Sequence, residues 1–132
     1  MSRIIANVTI KNLFEPEMMV NCDGFVDTGT ALMVLPKAWK ARLGKLNLIR
    51  EADCVTATQH LIKGEICGPV EIKLEGFEPI YSEVLFLDME SLDGTYEPLI
   101  GYIVLEKSQA AVDILGHRLL RVRTMDLKKI YS

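Results

Sequence analysis

The stretch Gly24-Phe25-Val26-Asp27-Thr28-Gly29-Thr30-Ala31-Leu32-Met33-Val34-Leu35-Pro36 decides how the rest of this chain is read. An apolar strand end, Gly24 to Val26, stops at an Asp-Thr-Gly loop, and the apolar run Leu32 to Leu35 follows at once. A carboxylate is thereby held in a mainly apolar neighbourhood. The tripeptide alone is a weak signal, because a specified triplet recurs by chance in about one or two chains per hundred of this length. An Asp-Thr-Gly turn closing a hairpin describes it equally well.

On the N-terminal side, Ile4, Ala6, Val8 and Ile10 alternate with Ile5, Asn7, Thr9 and Lys11, the period of two that a half-buried strand produces. Glu15-Pro16-Glu17 breaks that strand, and Met19 to Val26 resumes extended character up to the Asp27 loop. On the other side, Pro36 suits the first turn of a short helix and Gly44 its C-terminal cap, with Trp39 and Leu43 turned inward. From Leu46 to Leu87 β signals dominate: Val70, Ile72 and Leu74 alternate with charged residues, and Val84 to Leu87 reads as a buried strand. Lys63-Gly64 and Glu75-Gly76 read as turn points. After the polar loop Ser91 to Pro98 come Leu99-Ile100-Gly101, a helical segment reaching Lys107, and two extended runs around Gly116. The pattern is that of one mainly β domain over residues 1–132, a small closed or half-closed barrel with one or two short helices.

The bulk composition limits the partners. A chain of 132 residues suits one hydrophobic core. Its 49% apolar content is high for this size and suits a surface partly buried against a partner. The net charge of -3 comes from interspersed acids and bases with no basic block to neutralise phosphates, so nucleic acid is not an expected partner. Cys22, Cys54 and Cys67 cannot all pair within one chain and form no Cys-x-x-Cys motif, which fits a reducing compartment. The first residues lack the apolar core of a secretory signal, and no later run approaches the roughly 18 apolar residues of a membrane span. The expectation is a cytoplasmic protein without a membrane partner. Cys54, His60 and Cys67 fall in one region, but their spacing matches no zinc pattern, and neither a metal nor another cofactor is expected.

Taken together, Phe25 to Ala31, the Val34-Leu35-Pro36 that follows, the segment Thr58 to Gly64 and Leu99-Ile100-Gly101 about 70 residues after the loop resemble the retroviral-type aspartic peptidases, the retropepsins, over roughly residues 3 to 122. The order and spacing of these pieces are far more specific than any one of them. The resemblance implies a retropepsin-like closed β barrel with a flap hairpin, active as a homodimer. Asp27 would be the catalytic carboxylate, meeting its twin across a two-fold axis. As is general among aspartic peptidases, two such carboxylates cannot both ionise cheaply, so one serves as base towards a water and the other as acid towards the scissile carbonyl. Thr28 would hydrogen-bond across the axis, and Gly29 would let substrate backbone approach closely. Thr30 would donate its hydroxyl to the outer oxygen of Asp27. Gln59, His60, Leu61 and Ile62 would lie near the flap tip over an extended peptide, although a lone His such as His60, or His117 in its turn, equally describes a solvated surface residue.

Two departures stand out. The family often places Arg or Leu and then Asp or Asn after the second-signature glycine, where this chain has Tyr102 and Ile103. Retroviral members carry an aspartate two positions after the loop glycine to pair with that arginine, where this chain has Ala31. Both partners of the ion pair are missing together, which leaves no charge unpaired and leaves open how the loop is braced. Ile114-Leu115-Gly116 is a weaker match to the second signature, because no helix-like segment follows it.

The resemblance implies an aspartic endopeptidase acting on extended peptides; the alternative is a dimeric binding or assembly module of the same fold without significant turnover. The segments Ser2 to Ile10 and Leu119 to Tyr131 are candidates for a dimer sheet, since an unpaired edge strand invites strand addition.

Overall fold

The structure, a computed structural model, describes residues 3–55, 58–89 and 94–122. In chain order it contains β1 (Ile5–Asn12), β2 (Met19–Val26), β3 (Met33–Pro36), a 3-10 helix (Lys37–Leu43), β4 (Leu48–Val55), β5 (Leu61–Leu74), β6 (Ile80–Leu87), β7 (Leu99–Ile100), α1 (Tyr102–Lys107), β8 (Ala110–Asp113) and β9 (Arg118–Arg121). Six strands close on themselves in the order β1-β2-β7-β3-β6-β5, with β5 pairing back to β1. Closure is made by antiparallel pairing of Val8 to Asn12 with Val70 to Leu74. The architecture is therefore a mainly β closed barrel, as its alternating strands imply.

Alternation is what fills the barrel. Val8 and Ile10 of β1, Val70, Ile72 and Leu74 of β5, and Val84 and Phe86 of β6 are buried, while intervening residues face outward. Each such side chain contributes about 1.5–3 kcal/mol by leaving water. The 3-10 helix forms between Pro36 and Gly44 as their positions suggest, with Leu43 fully buried and Trp39 packed partly against the core. Asn12 ties this region to β1. Its side-chain amide donates to the Leu43 and Lys45 carbonyls at 2.8 and 2.9 Å, and its Oδ1 accepts from the Phe14 and Glu15 amides. A buried amide is tolerable because every bond it can make here is made.

β5 has three distinct surroundings. Val70 to Leu74 lie in the barrel wall between β1 and β6, Gly64 to Cys67 lie between β6 and β4, and Leu61 to Lys63 pair with β4 alone in a hairpin projecting from the wall. The register breaks between Cys67 and Val70, where Gly68 and Pro69 carry the chain from one pair of neighbours to the next.

One expectation is corrected. Lys63-Gly64 is not a turn but lies inside β5, and the hairpin reverses between Val55 and Leu61 instead. Gly64 is small for packing reasons: a Cβ there would stand 2.7 Å from Leu87 Cδ2 and 2.9 Å from Leu85 Cδ1. Of the N-terminal dimer-sheet candidate, Ile5 and Ala6 are paired with β2 alone, β5 covers the other side from Val8 onward, and Ser2 lies outside the described residues. Of the C-terminal candidate, Leu119 to Arg121 pair with β8, and residues 123–131 lie outside the described residues. Among the described residues, no helix is long and apolar enough to cross a membrane.

Candidate active site

The Asp27 loop sits where three strands meet. β7 lies between β2, to which it is parallel, and β3, to which it is antiparallel, so Leu99 is opposite both Phe25 and Val34. Gly24 makes that contact possible, since a Cβ would fall 2.8 Å from Ile100 Cγ1. The Phe25 amide donates to the Pro98 carbonyl at 2.8 Å, the Val26 amide to Ile4 at 2.9 Å and the Asp27 amide to Ile100 at 3.0 Å. The backbone leading into the loop is thus fixed residue by residue.

Within the loop the carboxylate is held at both oxygens. The Gly29 amide donates to Asp27 Oδ1 at 3.0 Å, and Thr30 Oγ1 donates to Oδ2 at 2.9 Å. The Thr30 amide closes the turn onto the Asp27 carbonyl at 3.2 Å. Asp27 and Thr30 are half-buried, whereas Thr28 and Gly29 are exposed on the surface of the single chain. Hydrogen bonds to a charged acceptor are the stronger kind, worth about 1.5–3 kcal/mol each, so the carboxylate plane is held against rotation.

The bracing that the missing ion pair left open is done by backbone. At the start of α1 the Tyr102 amide donates to the Thr30 carbonyl at 2.8 Å, and the Ile103 amide donates to Ala31 at 3.0 Å. The first amides of a helix have no partner inside it, so here they serve the loop and are satisfied by it. The approach is so close that a Cβ at Gly101 would collide with the backbone of Ala31 and Leu32. Leu99-Ile100-Gly101 is therefore the segment beside the Asp27 loop, while Ile114-Leu115-Gly116 forms the exposed turn of the β8–β9 hairpin.

Strand register identifies an apolar wall next to the carboxylate. Phe25, Leu99, Val34, Leu85 and Ile66 are opposite one another in successive strands and so share a sheet face. Asp27 lies two residues beyond Phe25. Farther along β5, Ile62 continues the same face into the hairpin, with Cys54 opposite it. No sequence motif marks this wall, because its members come from five strands and meet only after the barrel closes.

Of the expected flap residues, Gln59, His60 and Leu61 are exposed and Ile62 is half-buried. Gln59 adopts φ 65°, in the left-handed region, and Thr58 Oγ1 lies 2.8 Å from His60 Nδ1. Thr58, His60, Leu61 and Ile62 line one cleft together with Lys37, Lys63 and Asp88; the Asp27 loop is not part of its walls. Cys22, Cys54 and Cys67 are free thiols. Burial, with Asp23 nearby, pushes Cys22 up to about 11, and burial also raises Cys67, so both remain neutral thiols of low reactivity. No group of three or more metal-ligating side chains occurs among the described residues.

Neither a family model nor a curated protein matches this sequence. Among solved structures, EIAV protease complexed with the inhibitor HBY-793 is similar with a TM-score of 0.54, over 80% of this chain and 86% of that one, at 20% sequence identity. Identity that low speaks for the fold alone. The chain has the retropepsin-like barrel fold, with its Asp-Thr-Gly loop at the junction of β2, β7 and β3.

Proposed function

We propose that this chain is a homodimeric aspartic endopeptidase that hydrolyses extended peptides through an Asp27 carboxylate from each subunit. The observation that carries the reading is the Asp27 carboxylate, held by the Gly29 amide and the Thr30 hydroxyl on a loop of retropepsin-like fold that occurs once in the chain. One carboxylate cannot be both base and acid in a single step. Two of them brought together across a two-fold axis share a proton, so that one activates the water and the other protonates the carbonyl oxygen. Because each Asp27 oxygen already accepts a bond from its own loop, the remaining lone pairs are left for the partner carboxylate and the water. The exposed Thr28 is then the loop residue available to the second copy. The apolar wall of Phe25, Val34, Leu85 and Leu99 supports apolar side chains beside the scissile bond. Three unpaired thiols support a reducing, cytoplasmic setting.

The test is cleavage of a peptide library by wild type and by Asp27→Asn, with sedimentation of both. The amide is nearly isosteric but cannot act as base, so turnover should fall by about a thousandfold or more while the dimer persists. A transition-state mimic with a central hydroxyl should bind strongly only to the wild-type dimer. An active, stable monomer would overturn the shared site, and full activity in Asp27→Asn would remove Asp27 from the chemistry.

A further inference from the structure

A cleft of about 710 Å³ opens beside the flap, between Lys37 and Asp88 on one side and the segment Thr58 to Lys63 on the other. Its origin lies in the strand ends. β3 and β6 run parallel and stop together at Pro36 and Leu87, and the last pairing of β6 with β5 is Leu87 with Gly64. Beyond Gly64 the flap part of β5, Leu61 to Lys63, has β4 on one side and no β6 on the other. Among the described residues, the overhang has no partner strand on that edge. Lys37 and Asp88, each the first residue after its strand, stand at the mouth of the space beneath it.

Such an edge accepts an extended backbone, and its side chains then choose the sequence. Lys37 and Lys63 are both exposed, and neither forms an ion pair among the described residues, whereas Lys40 is engaged with Glu65 at 3.0 Å. Among the described residues, Asp88 is the one carboxylate lining this cleft. Glu51, Asp53 and Glu65 line a neighbouring, smaller cleft that the same two lysines also border. Among the described residues, the two ammonium groups therefore face three acids on one side and Asp88 alone on the other.

We propose that this cleft is an outer subsite for an acidic extended segment, whose backbone lies along Leu61 to Lys63 and whose carboxylates pair with Lys37 and Lys63. The inference rests on the peptidase reading for its place in a substrate, and it names the chemistry of the substrate outside the apolar centre. Charge at this position acts mainly through binding, so KM changes and kcat does not.

The experiment measures binding of short labelled peptides with an apolar centre and a terminal run of Glu, Gln or Lys to the full-length wild type, to Lys37→Gln/Lys63→Gln and to Lys37→Glu/Lys63→Glu. Cleavage of the same peptides is followed in parallel. Partly exposed pairs are individually weak, so the expected preference is modest: wild type binds the Glu peptide about fivefold tighter than the Gln peptide, with the advantage shrinking as salt is raised. The Gln variant loses that preference and the Glu variant reverses it. Equal binding of the three peptides, a preference for Lys, or binding of none overturns the subsite. Cleavage without charge preference leaves the Asp27 reading standing and removes this one, whereas charge-selective binding without cleavage does the reverse.

Discussion

The Asp27 loop and the flap both reverse the chain beside strands of one barrel, yet they are held in different ways. The loop is fixed by amides of Asp27, Thr30, Tyr102 and Ile103, by two bonds to its carboxylate, and by the close fit of Gly101. The flap is held by pairing with its own return strand, and its tip pair, Val55 opposite Leu61, is 64% and 65% exposed. On the peptidase reading proposed above, the difference divides the tasks of the site. A reacting group must stay within a fraction of an ångström of one geometry, whereas the element that admits substrate must be able to leave.

The largest effect expected from breaking this contrast comes from Gly101→Ala. Its Cβ would meet backbone, which cannot rotate away, so unfolding should be easier by about 3 kcal/mol or more. Chemical denaturation measures it, and a neutral result would mean the helix does not clamp the loop. Next comes Thr30→Ala, which removes one hydrogen bond to the carboxylate while leaving the loop backbone able to form. A loss of about 1.5–3 kcal/mol from the reacting state lowers kcat/KM about 10- to 100-fold. An unchanged kcat/KM in a folded variant would assign Thr30 to packing alone.

Gly64→Ala sharpens the comparison from the flap side. Two of the three atoms its Cβ meets are the ends of leucine side chains and one is the Phe86 carbonyl oxygen at 3.0 Å, so a cost of about 1–2 kcal/mol is expected in thermal unfolding. Leu61→Ala, at the exposed tip, should cost about 0.5 kcal/mol or less in stability and show itself in KM. If Leu61→Ala destabilised the fold as much as Gly64→Ala, the flap would not be the loosely held element.

The smallest effect concerns acid. The Gly116 amide, and then Arg118, hold the Asp113 carboxyl below its usual 3.8, and Lys40 holds Glu65 below its usual 4.5. Both groups are depressed in the fold, so their contribution is complete above about pH 4.5 and is lost as pH falls through the lower folded values. Asp113→Asn should flatten the acid limb of the stability curve slightly without altering the Asp27 loop.

Much of the barrel was legible because its strands alternate. Val70, Ile72 and Leu74 announce a wall strand, and Pro36 and Gly44 bracket a short helix. The closure of β1 onto β5 was not, since pairing across some sixty residues leaves no local pattern. Gly64 was misread as a turn because glycine marks both a bend and a place where a side chain has no room. At the site, Asp27, Gly29 and Thr30 could be read from their motif. The brace from Tyr102 and Ile103 could not, because backbone amides carry no residue signature; only Gly101 pointed to a close approach.

The double life of β5 has a consequence in exchange with solvent. Its amides from Val70 to Leu74 lie within a closed wall, while those from Leu61 to Lys63 belong to an overhanging hairpin. Deuterium should therefore enter one continuous strand as a gradient, quickly at its start and at the rate of global opening near its end. On the peptidase reading proposed above, a strand graded in this way would let the hairpin lift without loosening the wall that seats the carboxylate, so that opening for substrate and persistence of the fold would be governed by separate stretches of the same fourteen-residue element.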